Sequence, residues 1–327
     1  MVFTVNEWGI DDNGILADFF EKKRIFHINW SVDDPFFEEL FIKKKFRQSV
    51  FRIDFVSDKD YLPQMKNTGY NVFFLPLGTD PTVFMPADTG YERDVLFAGN
   101  SYTLQIEDFL KGYEEYFLEI VPCFADIINK YNHDNMFNVE SGIEIELKKQ
   151  ELPVGGSIDK IKFIAKQFIG FMYRKQIVES LVKNLKSFTI VGDNGWKMID
   201  KNINIGKSGY YDGLCKFYTQ SKINVDINRM VIRNGFTQRV FDTCACNCFC
   251  ITSYKPIVGE YFDLDSDKKE LVAFRCKEEL HDLIKYYLKH DTQRNAVIER
   301  GHKKVIENHT YNHRMNDIFR VFTDYLK

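Results

Sequence analysis

The stretch INVDINRMVIRNGFTQRVFDTCACNCFCITSYKPIVGEYF, Ile223 to Phe262, decides how the chain folds. Its opening reads as a strand over Ile223–Ile227, apolar, β-branched and of the length of a buried sheet strand. A polar loop with Arg229, Arg233, Asn234 and Gly235 follows, then a helix over Gln238–Cys246 and a second strand over Cys248–Thr252. That order is the unit of a parallel α/β sheet, in which ligands gather at the C-terminal ends of the strands. The loop suits an anion. Glycine lets the backbone approach a phosphate, the free N–H groups of a helix N-terminus point at it, and arginine adds bidentate charge-assisted bonds. Arg233, Gly235, Thr237, Gln238 and Arg239 are the phosphate candidates. Asp242 lies one helical turn beyond Arg239, where a carboxylate can accept from ribose hydroxyls; a surface Arg–Asp pair explains the same spacing.

Four of the seven cysteines, Cys244, Cys246, Cys248 and Cys250, also fall in this stretch. They lie too close along one segment to be a disulfide framework for so long a chain. On an extended strand this spacing would line the thiols up on one side rather than around a tetrahedron, which argues against zinc. Reduced thiols at a helix end and in a core strand are expected, with no metal site.

Working outward, the same rhythm recurs. Strand-length apolar runs stand at Val2–Val5, Ile25–Trp30, Val50–Val56 and Val72–Leu77, separated by segments such as Ile15–Glu21 and Pro35–Phe46 that can carry helices. Three prolines and a glycine between Pro76 and Pro86 then read as a linker. A second alternation begins with Val95–Ala98, which runs into Gly99-Asn100-Ser101. Residues 104–185 read as a largely helical insertion with a loop at Leu152–Ser157, and strands return at Ser187–Val191 and Lys201–Ile205. A helix at Tyr211–Gln220 precedes the strand of the decisive stretch, and three amphipathic helices, Glu278–Lys289, Thr292–Glu307 and Tyr311–Leu326, close the chain. The expected domains are 1–86, 87–310 and a C-terminal helix over 311–327 that packs back toward the first domain.

Composition sets limits rather than a function. With 327 residues, 44% apolar and 28% charged, the chain buries a sizeable core. A net charge of −3 gives no broad pull toward nucleic acid or anionic lipid. Apolar runs stay short of the ~20 residues that span a bilayer, and the N-terminus lacks a signal pattern, so a cytoplasmic protein is expected.

Further candidates sit at strand ends. Gly99, Asn100 and Ser101 can offer backbone and hydroxyl donors to a diphosphate or sugar, or form a plain capped turn. Gly192, Asp193 and Asn194 are candidates for a base or ribose, and Tyr210 or Tyr211 for stacking on a base. Asp33 and Asp34 can act as general base on an acceptor hydroxyl; equally, Asp-Asp-Pro can cap the helix beginning near Pro35. His27 and His309 enter only as alternatives.

The decisive stretch resembles the donor-site region of the CgeB-like (spore maturation protein) glycosyltransferases. That family's arginine, glycine, R-x-F-E/D helix and alanine-cysteine correspond to Arg233, Gly235, Arg239-Val240-Phe241-Asp242 and Ala245-Cys246. Many members carry the longer glutamate where this chain has Asp242. Trp30-Ser31-Val32-Asp33-Asp34-Pro35 is similar to the family's W-x-x-D-D-P turn, and Pro76-Leu77-Gly78-Thr79-Asp80 to its interdomain P-x-G-x-D. Asp94–Asn100, Val191-Gly192, and His309-Thr310-Tyr311 with Arg314 resemble further family segments in the same order.

The resemblance implies an α/β fold of GT-B type: two Rossmann-like domains facing a cleft, the second holding the nucleotide sugar. It implies a sugar transferred from a nucleoside-diphosphate sugar, UDP, GDP or TDP, to a glycan, protein or small-molecule acceptor. Arginine and a helix N-terminus would replace a divalent ion, in keeping with the want of a D-x-D motif; Asn224-Val225-Asp226 comes nearest. No tightly bound cofactor is expected. Against the family pattern the first domain reads as shortened, which would leave a sheet edge or an apolar face uncovered and predicts either a homodimer through that half or an unusually open acceptor site. The alternative from another class is a catalytically silent sugar-nucleotide-binding or assembly protein.

Overall fold

The computed structural model describes residues 1–36, 49–111, 114–133, 137–149, 158–230 and 232–327. Two compact units emerge: residues 1–78 with 233–235 and 311–327, and residues 79–232 with 236–310. Among the described residues no helix is long and apolar enough to cross a membrane. The expected helix at Pro35–Phe46 lies mostly outside the described residues, as does the loop at Leu152–Ser157.

The first unit is built on four parallel strands in simple sequence order, β1 (Val2–Val5), β2 (His27–Ser31), β3 (Arg52–Val56) and β4 (Val72–Phe74). Helix α1 (Ile15–Lys23) joins β1 to β2, and α2 (Leu62–Asn67) precedes β4. Strand side chains alternate between faces. Ile28, Trp30, Ile53 and Phe55 form one buried face, packed against Ile318, Met315 and Phe322 of the last helix, Tyr311–Tyr325. The opposite face is buried and polar. Thr4 bonds His27 at 2.8 Å and Asn29 at 3.0 Å, Asn29 bonds Asp54 at 3.2 Å, and Arg52 holds Asp54 at 2.8 Å while also pairing with Glu7. His27 is therefore one member of a buried network, its pKa pushed down to about 4 by burial and then by Arg52.

The second unit carries six parallel strands: β5 (Arg93–Ala98), β6 (Phe188–Val191), β7 (Ile205–Gly206), β8 (Ser221–Asp226), β9 (Cys250–Ser253) and β10 (Val272–Phe274). Their spatial order is β10-β9-β8-β5-β6-β7. The chain winds from β5 outward to β7, then returns to the other side of β5 with β8. This reversal between β5 and β8 is a topological switch point, where the loops at the C-terminal strand ends part and leave a crevice. Helices α3 (Thr103–Leu110), α4 (Glu114–His133), α5 (Val139–Lys149) and α6 (Ile158–Asn184) separate β5 from β6. Helix α7 (Tyr210–Thr219) leads into β8 and α8 (Gln238–Ala245) leads out of it.

Two strands of this sheet depart from expectation. Lys201–Ile205 forms a strand only at Ile205–Gly206, and β10 at Val272–Phe274 comes without an expected counterpart.

Candidate functional site

The strand ends at the switch point are joined by one residue that sequence reading did not single out. Arg174 of α6 is 2% exposed, and its guanidinium reaches the carbonyl of Asn100 after β5 (3.3 Å) and that of Ile227 after β8 (2.8 Å). Both of these acceptors are neutral, and the nearby Asp226 carboxylate offsets the Arg174 charge in part. Burial, then the charges of Arg239 and Arg229, push its pKa down to about 9, a large fall for a guanidinium.

Around it gather further groups of the same sign. Arg229 lies over the Tyr102 ring, 4.8 Å from its centroid, and Arg174 sits 5.9 Å from the same ring. Tyr102 adopts a left-handed conformation at φ 63, strained for a bulky residue and of the kind that collects at ligand sites. Arg239, at the start of α8, bonds Asp226 at the end of β8 through Nε at 3.1 Å. Burial works against the Arg239 charge, and Asp226 more than restores it, so its pKa lies above the ordinary value. Asp226 is saturated by Thr237 (2.9 Å) and Thr252 (3.0 Å) as well. Three guanidiniums, those of Arg174, Arg229 and Arg239, gather with the Asp226 carboxylate at the strand ends.

Asn228, just beyond the end of β8, is 1% exposed, and neither side-chain amide atom has a hydrogen-bond partner among the described residues. A buried amide left so is costly unless something else binds it. A small pocket lined by Ser101, Tyr102, Gln167, Gly170, Phe171, Arg174 and Arg229 opens at this point.

Two of the candidate loops, Gly99–Ser101 and Gly192–Asn194, lie against each other here. Gly99 accepts from the indole of buried Trp196 at 2.8 Å, and Gly192 passes so near that an added Cβ would lie 2.4 Å from the Gly99 carbonyl oxygen. Ser101 donates through its hydroxyl (2.6 Å) and backbone N–H (3.1 Å) to Asp193, which also accepts from Gly195 N–H at 3.0 Å. Ser101 and Asp193 thus tie the two loops together, and Asn194 opens the short 3-10 turn Asn194–Met198 behind them.

The remaining candidates are placed differently. Arg233 and Gly235 group with the first unit, where Asp58 accepts from the backbone N–H of Arg233 and Asn234 and the Arg233 guanidinium lies 4.4 Å from the Tyr61 ring centroid. Thr237 donates to Asp226, and Gln238 to Asp242 at 3.4 Å. Asp242 is fully buried and accepts from Thr79 at 2.6 Å and from Tyr210. Burial raises its pKa to about 7 against those hydrogen bonds. Tyr210 is occupied by that contact, whereas Tyr211 is 62% exposed. His309 is packed among Phe241, Tyr261 and Phe262.

In the first unit Asp33 is exposed beyond β2 and accepts from Asn6 at 2.9 Å. Asp34 accepts from Phe36 N–H at 3.0 Å and is hydrogen-bonded to Tyr61. Among the described residues, no group of three or more His, Cys, Asp or Glu side chains is placed to hold a metal ion. All four cysteines of the decisive stretch are free thiols, Cys244 and Cys246 at the end of α8 and Cys250 in β9.

Residues 174–320 match the family model described as glycosyl transferase-like. No curated protein matches the sequence. Among solved structures, sucrose-phosphate synthase from Thermosynechococcus elongatus aligns at TM-score 0.53 and 9% identity, over 95% of this chain and 71% of its own. A glycosyltransferase from Rickettsia africae aligns at 0.53 and 11% identity, over 97% and 81%. Anabaena HepE in complex with UDP-glucose aligns at 0.53 and 6%, over 95% and 75%. At these identities the likeness shows the fold, which is GT-B. Residues 174–320 are thus glycosyl transferase-like, and the chain has the GT-B fold that glycosyltransferases share.

Proposed function

We propose that the chain moves a sugar from a nucleoside-diphosphate sugar to an acceptor hydroxyl without a divalent ion. The diphosphate is taken by Arg174, Arg229 and Arg239 at the ends of β5 and β8. The observation that carries this reading is buried Arg174, whose guanidinium reaches the carbonyls of Asn100 and Ile227 at the two strand ends with Arg229 and Arg239 close by, an arrangement that a bound dianion would favour. In the same site guanidinium groups stabilise the charge that develops on the leaving diphosphate, the task a metal ion performs elsewhere. The unpaired amide of Asn228 is assigned to a sugar hydroxyl or a phosphate oxygen. HepE, a neighbour in fold, was crystallised with UDP-glucose, which supports a sugar nucleotide as ligand, and the CgeB-like sequence pattern points the same way.

The roles are divided accordingly. Gly99–Ser101 and Gly192–Asn194 shape the donor loops, with Ser101 and Asp193 as their lock. Asp242, buried as it is, acts by positioning Gln238 and Tyr210 rather than by touching ribose itself. Tyr211 is the exposed ring that can stack on a base. Arg233 and Gly235 shape the loop that Asp58 holds and stand outside the diphosphate set. Asp33, exposed at the end of β2, serves as general base toward the acceptor. The same reading places the protein in the cytoplasm and pairs two copies along the edge of β1, where Phe3 and Val5 remain exposed, which sedimentation tests.

Incubation with UDP-, GDP- and TDP-sugars in the presence of a chelator, followed by measurement of released nucleoside diphosphate, tests the proposal. Release from one donor that Asp33→Ala abolishes supports it. Tight donor binding without release, with or without candidate acceptors, favours the catalytically silent binder.

A further inference from the structure

Two thiols away from the arginine cluster meet at 3.1 Å: Cys246, at the C-terminal cap of α8, donates to Cys215 of α7. Disulfide sulfurs stand about 2.05 Å apart, so the pair closes with about 1 Å of side-chain movement. Access is unequal. Cys215 is half-buried and open to small reagents, while Cys246 lies buried behind it. The hydrogen bond from the Cys246 thiol brings the Cys215 pKa down to about 6, and the same contact pushes Cys246 up. Cys215 also donates to the Met85 carbonyl at 3.2 Å, and an accessible thiol backed by a shielded one at this distance is the arrangement that thiol–disulfide exchange uses once the outer thiol ionises. The other thiols of the cysteine-rich stretch do not share it: Cys244 and Cys248 are buried, and burial pushes both upward.

We propose that Cys215 and Cys246 form a reversible disulfide at the expense of a small disulfide of the oxidised-glutathione type. The Cys215 thiolate attacks one sulfur of the small disulfide, whose S–S bond breaks and releases one small thiolate. Cys246 then attacks the Cys215 sulfur, the mixed bond breaks, and the second small thiolate leaves and takes up the Cys246 proton. Two protein thiols are oxidised and one small disulfide is reduced to two thiols. In the mixed disulfide the Cys215 charge is gone, so the contact that held Cys246 protonated is removed at the step where it must attack. The bond staples α7, which carries Tyr210, to α8, which carries Asp242, two helices already joined by the Tyr210–Asp242 hydrogen bond.

This inference goes beyond the donor site and does not depend on it. The test is to equilibrate the full chain with defined ratios of reduced and oxidised glutathione, quench with acid, and map the cysteines by mass spectrometry. The expected product is a Cys215–Cys246 linked peptide pair that grows with the oxidised fraction and disappears with excess reduced glutathione. At pH 7, iodoacetamide should label Cys215 about ten-fold faster than Cys276. Cys246→Ser should trap a glutathione adduct on Cys215, and Cys215→Ser should give neither adduct nor link. The wild-type map decides the matter even where a variant folds poorly. Cys215 remaining a thiol in the oxidising mixture, or holding glutathione while Cys246 stays free, overturns the proposal.

Discussion

Arg174 Nη2 donates to the carbonyl of Ile227 at 2.8 Å, so a charged side chain from the long helix α6 is spent on the backbone at the end of β8. Its neighbours Arg229 and Arg239 add charge of the same sign. An arrangement that is costly when empty becomes favourable once a dianion enters. Ligand should therefore stabilise the protein strongly: a hundredfold excess of free nucleoside diphosphate over its Kd adds about 2.7 kcal/mol. Thermal unfolding with and without UDP, GDP and TDP checks this, and inorganic phosphate should give a smaller shift.

Asp33 and Asp34 should separate by what they cost. Asp34 accepts from Phe36 N–H and is bonded to Tyr61, so Asp34→Ala should lose about 1 kcal/mol of stability. Asp33 is exposed and accepts from Asn6, a contact of the kind that contributes little at a surface, so Asp33→Ala should lose at most about 1 kcal/mol while kcat falls roughly 100-fold or more and donor affinity holds. Chemical denaturation and steady-state kinetics on both variants measure the contrast.

Two buried groups should give opposite pH slopes. Asp242, raised to about 7, keeps a proton in the folded protein that the unfolded chain releases above 3.8. Its contribution to stability is therefore lost as pH rises through that window, by about 4 kcal/mol in all. His27, lowered to about 4, refuses a proton that the unfolded chain takes below 6.5, so its contribution is lost as pH falls, by about 3 kcal/mol. Asp242→Asn should remove the first slope and His27→Gln the second. Urea titrations between pH 4 and 8, read with a probe in each unit, separate them.

Gly192 should tolerate no side chain. A Cβ there meets the backbone oxygen of Gly99 at 2.4 Å and the Trp196 indole nitrogen at 3.2 Å. Gly192→Ala is expected to cost roughly 2–3 kcal/mol and to weaken nucleotide binding, because both donor loops must shift. Comparing its unfolding midpoint with that of Gly90→Ala, a glycine with open space around it, supplies the control.

The α/β rhythm was legible because its strands carry short apolar, β-branched runs: Val2–Val5, Val95–Ala98 and Ile223–Ile227 all lie in strands or run up to their ends. Val272–Phe274 escaped notice as three residues between charged runs, a length at which periodicity carries no signal. The alternation in His-Ile-Asn-Trp-Ser and Arg-Ile-Asp-Phe-Val reads as one apolar and one solvent face, yet the polar face is buried because its charges satisfy one another. In the site, the loops at Gly99 and Gly192 were readable from glycines at strand ends. Arg174 was not, since within an amphipathic helix it looks like any charged residue, and its role appears only when the fold brings Asn100 and Ile227 within its reach. Arg233 and Arg239 are alike in sequence, and only tertiary packing sends one to Tyr61 and the other to Asp226.

The central claim is that the arginine cluster binds a nucleoside diphosphate without metal. Calorimetric titration of UDP, GDP and TDP into the wild type and Arg229→Ala, with chelator present, tests it most directly. Arg229 is half-buried and, unlike Arg239, is not the partner of Asp226, so its removal leaves the Arg239–Asp226 pair in place. The account predicts binding of one nucleotide, weakened roughly 30- to 100-fold in Arg229→Ala, as loss of a charge-assisted guanidinium–phosphate contact of about 2–3 kcal/mol requires. Equal affinity in the two proteins, or no binding by a folded wild type at millimolar nucleotide, would contradict it.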